Sequence, residues 1–513
     1  MKKIICLLLC AATVFFCFSS CKRENVSQTE ETTASSAELP SNEKEQKEIK
    51  HDVVLGYYSH KSLNPFKTNS VANNNITKLI FDPLFKLDNN FRLEYSIAES
   101  FNLEGRVLSV EIKEDVTFSD GSLLDTDDVV YSYNFASDSP LYKERLSNIT
   151  SASSQNGKVV FTLATQDPFA ANCLDFPIVK AGSGDNSIPT GSGRYIPKKH
   201  NDSYILKRND NYSLNEELEQ EQLFLYDINE THTPLYLLQI GELSFVYNDF
   251  SDGEEEYKIN ANTSKVNLNN LVFLSFNSNN EIFSDKNIKK AISKALDLNA
   301  LCGTCYNSMA TACTSPFNPA WSEVSSLEQK DISQDIIEAD RLLEESGYIY
   351  QYKNNKYRSK DFEFLELNMI VNKENPAKLS LAKEIASSLR TMGIDIKLEK
   401  LDFEEYKSRV ESGEFDMYIG EIKLSANMSL SPFFSSGGNA NYGIDLSSTV
   451  HGAYSDFLEG KIDLSTFIKV FDEDKPFIPI CYRTGLIYYS RQLKYEGAAG
   501  ESDVFENIYS WSF

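Results

Sequence analysis

The chain runs to 513 residues and carries 75 Asp and Glu against 50 Lys and Arg, a net charge of −25. That balance argues against a nucleic-acid partner and against lying flat on anionic lipid. Hydrophobic residues make up 41% and aromatics 12%, which fits a globular protein with a substantial core and room for two or three domains.

Lys2 and Lys3 form a basic start, and Ile4 to Phe18 is an apolar run too short for a comfortable membrane span. Phe18-Ser19-Ser20-Cys21 resembles a bacterial lipobox, with Phe18 where Leu is usual. The resemblance implies a lipoprotein signal peptide over 1–20 and a lipid anchor on Cys21, whose acyl chains hold the protein to the membrane. Residues 22–50 are rich in Glu, Ser, Thr, Gln and Lys and lack aromatics. Such a segment buries too little apolar surface to order itself, so 21–50 reads as the lipidated Cys followed by a disordered tether. No later run is long and apolar enough to cross a bilayer.

Three of the nine cysteines, Cys6, Cys10 and Cys17, leave with the signal peptide. Cys302-Gly-Thr-Cys305 with Cys313 lacks a nearby histidine and a second CxxC, so no metal site and no cofactor is expected there. Ordinary thiols or one local disulfide in a loop fit better. The five histidines, at 51, 60, 200, 232 and 451, are scattered, with no zinc spacing and no nucleophile elbow. An enzyme is not expected.

In chain order, Asp52 to Tyr58 reads as a first strand leading into Ser59-His60 and then Leu63-Asn64-Pro65. The stretch from Leu79 to Ala136 carries Asp82-Pro83-Leu84-Phe85, then Ala98-Glu99-Ser100-Phe101, then Phe118-Ser119-Asp120-Gly121 through Asp128-Val129. Leu108 to Lys113 alternates like a half-buried strand, Ser119-Asp120-Gly121 has turn chemistry, and Asp125 opens a helix with Val129, Val130 and Tyr133 at helical spacing. In this order the motifs resemble the signature of the extracellular solute-binding proteins of peptide-type ABC importers, the family 5 that includes oligopeptide-, dipeptide- and nickel-binding proteins. Phe101 and Ser119 depart from the pattern and leave it legible.

The resemblance implies an α/β, two-lobed periplasmic-binding-protein fold, type II and cluster C-like, with an extra small subdomain. Its expected division is 51–80, 186–265 and 484–513 in lobe I, 81–185 in the small subdomain and 266–483 in lobe II. Ser59 and His60 correspond to ligand-contacting positions in the loop after the first strand. Ile188 to Tyr195, with Gly191 and Gly193, lacks the ending of a phosphate loop and reads as a structural turn. Val266 to Phe276 is an apolar, β-prone candidate for the first crossing between lobes.

Ser284 is the expected N-cap of a helix with Ile288, Ala291, Ile292 and Ala295 on one stripe. From 365 to 420 strands alternate with helices, which argues for a parallel α/β unit whose ligand would lie beyond the strand C-termini. Glu421 to Phe433 follows that point. Peptide-binding relatives place there an Asp that neutralises the peptide α-ammonium. Here Asn427 stands at the corresponding place and Glu421 is the nearby acid. Asn439 and Tyr442 resemble a second cleft loop. Arg483, beside the return crossing, is either the fork for a ligand carboxylate or part of a structural ion pair.

The expected function is therefore membrane-anchored capture of extracellular oligopeptides by hinge closure and delivery to an ABC permease, by a monomer. A non-peptide solute such as a nickel complex, or a peptide-signal sensor, is the alternative on the same scaffold.

Overall fold

The computed structural model describes residues 52–513, apart from 202, 215–219, 230–232, 251–257, 328–331, 353, 354 and 498. The expected signal peptide, Cys21 and the tether lie outside the described residues.

Two long antiparallel strands, Asn262–Phe276 and Phe477–Tyr489, run through both halves of the molecule. The expected apolar run 266–276 lies wholly on the first of them. At one end the pair is extended by Phe245–Asn248, Val54–Tyr57, Gln222–Asp227, Ser203–Arg208 and Tyr195–His200. At the other it is extended by Met417–Lys423, Glu366–Asn372 and Asp395–Leu401, with Ala310–Ala312 against Phe477–Tyr489.

The strand–helix alternation after 365 folds as its pattern dictates. Glu366–Asn372 lies parallel both to Asp395–Leu401 and to Met417–Lys423. The helix Pro376–Thr391 starts on an Asn375 cap with Pro376 at its first turn, and buries Leu381, Ala382, Ile385, Ala386 and Leu389 at helical spacing. The sheet is mixed, because Met417–Lys423 meets the first long strand antiparallel.

The apolar core divides where the sheet does. One cluster gathers Val53, Leu79, Phe81, Val266, Leu268 and Trp511. Two others begin at Leu271 and Val272 on the first long strand and reach Tyr482 and Cys481 on the second. Two cores threaded by the same two strands make a two-lobed α/β architecture.

Ala98–Glu104, Val107–Ile112, Lys158–Leu163 and Ile149–Gln155 form a separate antiparallel sheet. The helix Thr126–Asp138 covers it, burying Val129 and Tyr133. Its cap is reciprocal: Asp125 accepts from the amides of Asp127 at 2.9 Å and Asp128 at 3.1 Å, while Asp128 accepts from the Asp125 amide at 3.0 Å. Such a box contributes about 1 kcal/mol.

The glycine turn at 191–193 is structural. A Cβ on Gly191 would come within 2.2 Å of the Ile80 carbonyl oxygen, and one on Gly193 within 2.3 Å of the Ile80 carbonyl carbon. The Gly193 amide donates to Ile80 O at 2.9 Å, so this backbone is committed to the chain at the Asp82-Pro83 motif. Only glycine allows that approach.

Two local expectations are corrected. Ser284 does not cap the helix Lys286–Lys294. Its hydroxyl donates to Glu281 O at 2.6 Å, closing the preceding turn, and Asp285 takes the cap by accepting from the Asn287 amide at 2.9 Å. Cys302 and Cys305 lie on the helix Leu298–Cys305, not in a loop, and both face the core. Cys173, Cys302, Cys305, Cys313 and Cys481 are all free and buried. Among the described residues no helix is long and apolar enough to cross a membrane.

Candidate ligand-binding site

The two long strands pair regularly up to Asn267 opposite Thr484, resume at Leu271 opposite Tyr482, and slip once more between Val272 and Phe273. Between those pairs Leu268, Asn269 and Asn270 stand against Arg483 alone, a bulge at the place where the two cores part. Side chains and loops satisfy the amides and carbonyls that a bulge leaves out of the ladder. Asn318 donates to Leu268 O at 2.9 Å, the Asn269 amide donates to Glu501 Oε2 at 2.9 Å, and the Leu424 amide donates to Asn269 O at 2.9 Å. The bulge aims Arg483 to one side and Asn269 to the other, and a cavity lies on each.

The smaller cavity, about 240 Å³, is lined by Glu421, Arg483, Tyr306, Cys305, Pro376 and Phe250 among others. Here the charges are mutually satisfied. Glu421 Oε1 accepts from Arg483 at 3.0 Å, and Oε2 lies 2.8 Å from Lys378 Nζ. Nη2 of Arg483 donates to Asp249 O at 3.2 Å and Phe250 O at 2.6 Å. Burial alone would raise the Glu421 carboxyl, but Lys378 and Arg483 beside it hold it down to about 2.

The larger cavity, about 420 Å³, opens on the other side of the bulge. Its walls come from the helix Val71–Thr77 and its cap Lys78, from Pro83 to Phe91, from Tyr142, Arg145 and Asp175, from Asn269, and from Lys423, Leu424 and Ala426. Arg145 is paired with Asp175 and Lys423 with Glu501. Behind the wall the fully buried Arg194 donates to Asp503 Oδ2 at 2.6 Å. Asp82 is buried with its oxygens unbonded and Lys86 Nζ 3.7 Å away, and burial raises its carboxyl.

Contacts across the seam surround these cavities. Asn427 donates to Asp167 Oδ2 at 2.6 Å, and Asn172 donates to Ala426 O at 3.2 Å. Burial raises the Asp167 carboxyl, while the Phe169 amide and Asn427 oppose that rise. The Phe169 ring meets Trp321 edge-on with centroids 4.7 Å apart.

The residues singled out from sequence fall in different places. Glu421 and Arg483 line the smaller cavity and bind one another. Asn427 is buried at the seam on Asp167, next to Ala426 of the larger cavity. Asn439 reaches Glu144 Oε1 at 3.0 Å, also across the seam. Tyr442 packs half-buried beside the core that holds Phe273 and Phe415. Ser59 is exposed and donates through Oγ to Asp227 Oδ2 at 2.6 Å. His60 is exposed and edge-on to Tyr58. Sequence reasoning missed Lys78, Lys378 and Asp167. Lys78 had one available signal, a lone cation entering the apolar run Leu79-Ile80-Phe81.

Comparison with known proteins agrees with this architecture. The family model "bacterial extracellular solute-binding proteins, family 5 Middle" matches residues 92–441. The oligopeptide-binding protein AppA of Bacillus subtilis is 23% identical over 390 residues, covering 71% of this chain and 72% of its own. The glutathione-binding protein GsiB of Escherichia coli is 22% identical over 408 residues, covering 75% of this chain and 78% of its own. The solved structure of NikA from Brucella suis in complex with Fe(III)-EDTA superposes with a TM-score of 0.66 at 19% identity, over 90% of this chain and 99% of that one. With the model match spanning more than half of its length, this chain belongs to the family 5 bacterial extracellular solute-binding proteins.

Proposed function

We propose that this protein captures short peptides outside the cell in the larger inter-lobe cavity and delivers them to an ABC permease, held at the membrane by a lipidated Cys21. The carrying observation is the cavity of about 420 Å³ beside the bulge in the two crossing strands. Its volume falls in the range of small-molecule and cofactor sites, roughly 300–1,000 Å³. Its walls come from both lobes, so a bound ligand touches both and favours the closed arrangement, as a population shift requires.

Peptide as ligand is supported by the similarity to a protein described as oligopeptide-binding and to another described as glutathione-binding. Polar side chains and paired charges line the cavity, which suits a ligand carrying amides and both signs of charge. The protein works as a monomer and carries out no chemistry on its ligand. The second reading, a chelated metal, draws on the similarity to NikA with Fe(III)-EDTA. Among the described residues no cluster of His, Cys, Asp or Glu has the grouping to hold a metal ion, so such a ligand would enter as a complex.

Mass spectrometry of whatever is released by denaturing the freshly purified chain tests the reading. A set of short peptides is expected. A single non-peptide solute would overturn the peptide assignment.

A further inference from the structure

In the larger cavity, the cations differ in what they face. Arg145 is spent on Asp175 and Lys423 on Glu501, and Lys86 lies beside Asp82. Lys78, the C-cap of the helix Val71–Thr77, has none of these arrangements. Its Nζ donates to the main-chain oxygen of Glu501 at 3.1 Å, and among the described residues no carboxylate oxygen lies within 4.0 Å of it. The one carbonyl takes one of the three donors of this half-buried ammonium, which leaves the others for whatever occupies the cavity. Burial pulls its pKa down to about 8, against the pull of Asp503, Asp175 and Glu501, with Lys423 adding to the fall. It remains mostly charged at neutral pH.

Resting on the reading of this cavity as the ligand site, we infer that Lys78 is the anchor for a ligand carboxylate, which in a peptide without acidic side chains is its C-terminus. The geometry that carries this is one unpaired ammonium on a cavity wall whose other cations already hold carboxylates. A carboxylate entering there gains a charge-assisted hydrogen bond, and such bonds are about twice as strong as neutral ones. Arg483 is a poorer candidate, since Glu421 and the carbonyls of Asp249 and Phe250 already take its donors. Selection would then turn on the presence of a free carboxylate more than on side-chain identity.

The test uses the full mature chain and an equimolar mixture of random tri- and tetrapeptides lacking Asp and Glu, half with a free C-terminus and half amidated. Captured peptides are counted by mass spectrometry after washing and denaturation. Wild type is expected to enrich the free-acid form by about tenfold or more, a difference of about 1.4 kcal/mol. Lys78→Met should capture the two forms equally, and Lys78→Arg should restore the preference. Equal capture of both forms by wild type overturns the inference and leaves peptide binding standing, as does an unchanged preference in a Lys78→Met protein that melts like wild type. Should wild type capture neither form, the peptide reading fails and this inference fails with it.

Discussion

The two sides of the strand bulge hold similar charges in opposite states. On one side Glu421, Arg483 and Lys378 close on one another, and the guanidinium also donates to two main-chain carbonyls. On the other, Lys78 projects into a larger cavity with a single carbonyl for company. The difference teaches that a charge at the seam between lobes is not by itself a ligand contact. A satisfied set stabilises the hinge. An unsatisfied group is what a ligand can complete.

Breaking the satisfied side gives the largest expected effect. Glu421→Gln leaves two half-buried cations without their shared acid and should destabilise the chain by about 3 kcal/mol, read from urea unfolding. A loss under about 1 kcal/mol would mean that solvent already screens the triad. Truncating Trp321→Ala removes a fully buried ring that packs on Phe169 and Phe317, and should cost about 3 kcal/mol as well. Its cost tests whether apolar packing or charge dominates this seam.

Lys78 should behave in the opposite sense. In ligand-free protein, Lys78→Met is expected to be neutral or to stabilise by up to about 1 kcal/mol, since it removes a poorly compensated half-buried charge. A loss of more than about 2 kcal/mol would show that Lys78 is structural.

The pH dependence separates the two sides at opposite ends of the scale. Lys78 falls from 10.5 to about 8 in the folded state, so the unfolded chain binds more protons between those values. Its penalty is therefore present below pH 8 and relieved as pH rises toward 10.5. Wild type minus Lys78→Met should show that relief, which also cancels the similar contribution of Lys289. Glu421 is depressed from 4.5 to about 2, so its stabilisation is full above pH 4.5 and lost as pH falls toward 2. Wild type should lose stability over that window relative to Glu421→Gln.

A small effect belongs to the seam hydrogen bond. Asn427→Ala leaves the buried Asp167 carboxylate without its side-chain donor, and about 1 kcal/mol of stability should go with it. Ligand capture should survive, because the side chain faces Asp167 and not the cavity.

Much of the fold was legible because its motifs bind local structure. Ile80, just before Asp82-Pro83, and the 191–193 glycines meet backbone to backbone, and Asp125 with Asp128 forms the cap that their spacing announces. The alternation after 365 gave its strands and helices to within a few residues. The bulge was not legible. Leu268-Asn-Asn-Leu271 reads as a continuous extended run, and only pairing with a strand more than 200 residues away shows where register slips. The site suffered from the same limit. Sequence could place Glu421 and Arg483 near the crossing, but their partner Lys378 comes from a separate helix, and Asp167 faces Asn427 from the other side of the seam. Whether a charge is satisfied is a property of three-dimensional neighbours, and no spacing along the chain encodes it.

On the proposed function, ligand in the larger cavity draws the two lobes together about the bulge. The most direct measurement places spin labels at the exposed positions Lys143 and Lys461, one on each side of the seam, and records the distance between them with and without a short-peptide mixture. Peptide is expected to narrow the distribution and shift it to the shorter distance, and the amidated mixture to do so less. An identical distribution with peptide bound would contradict closure on the ligand.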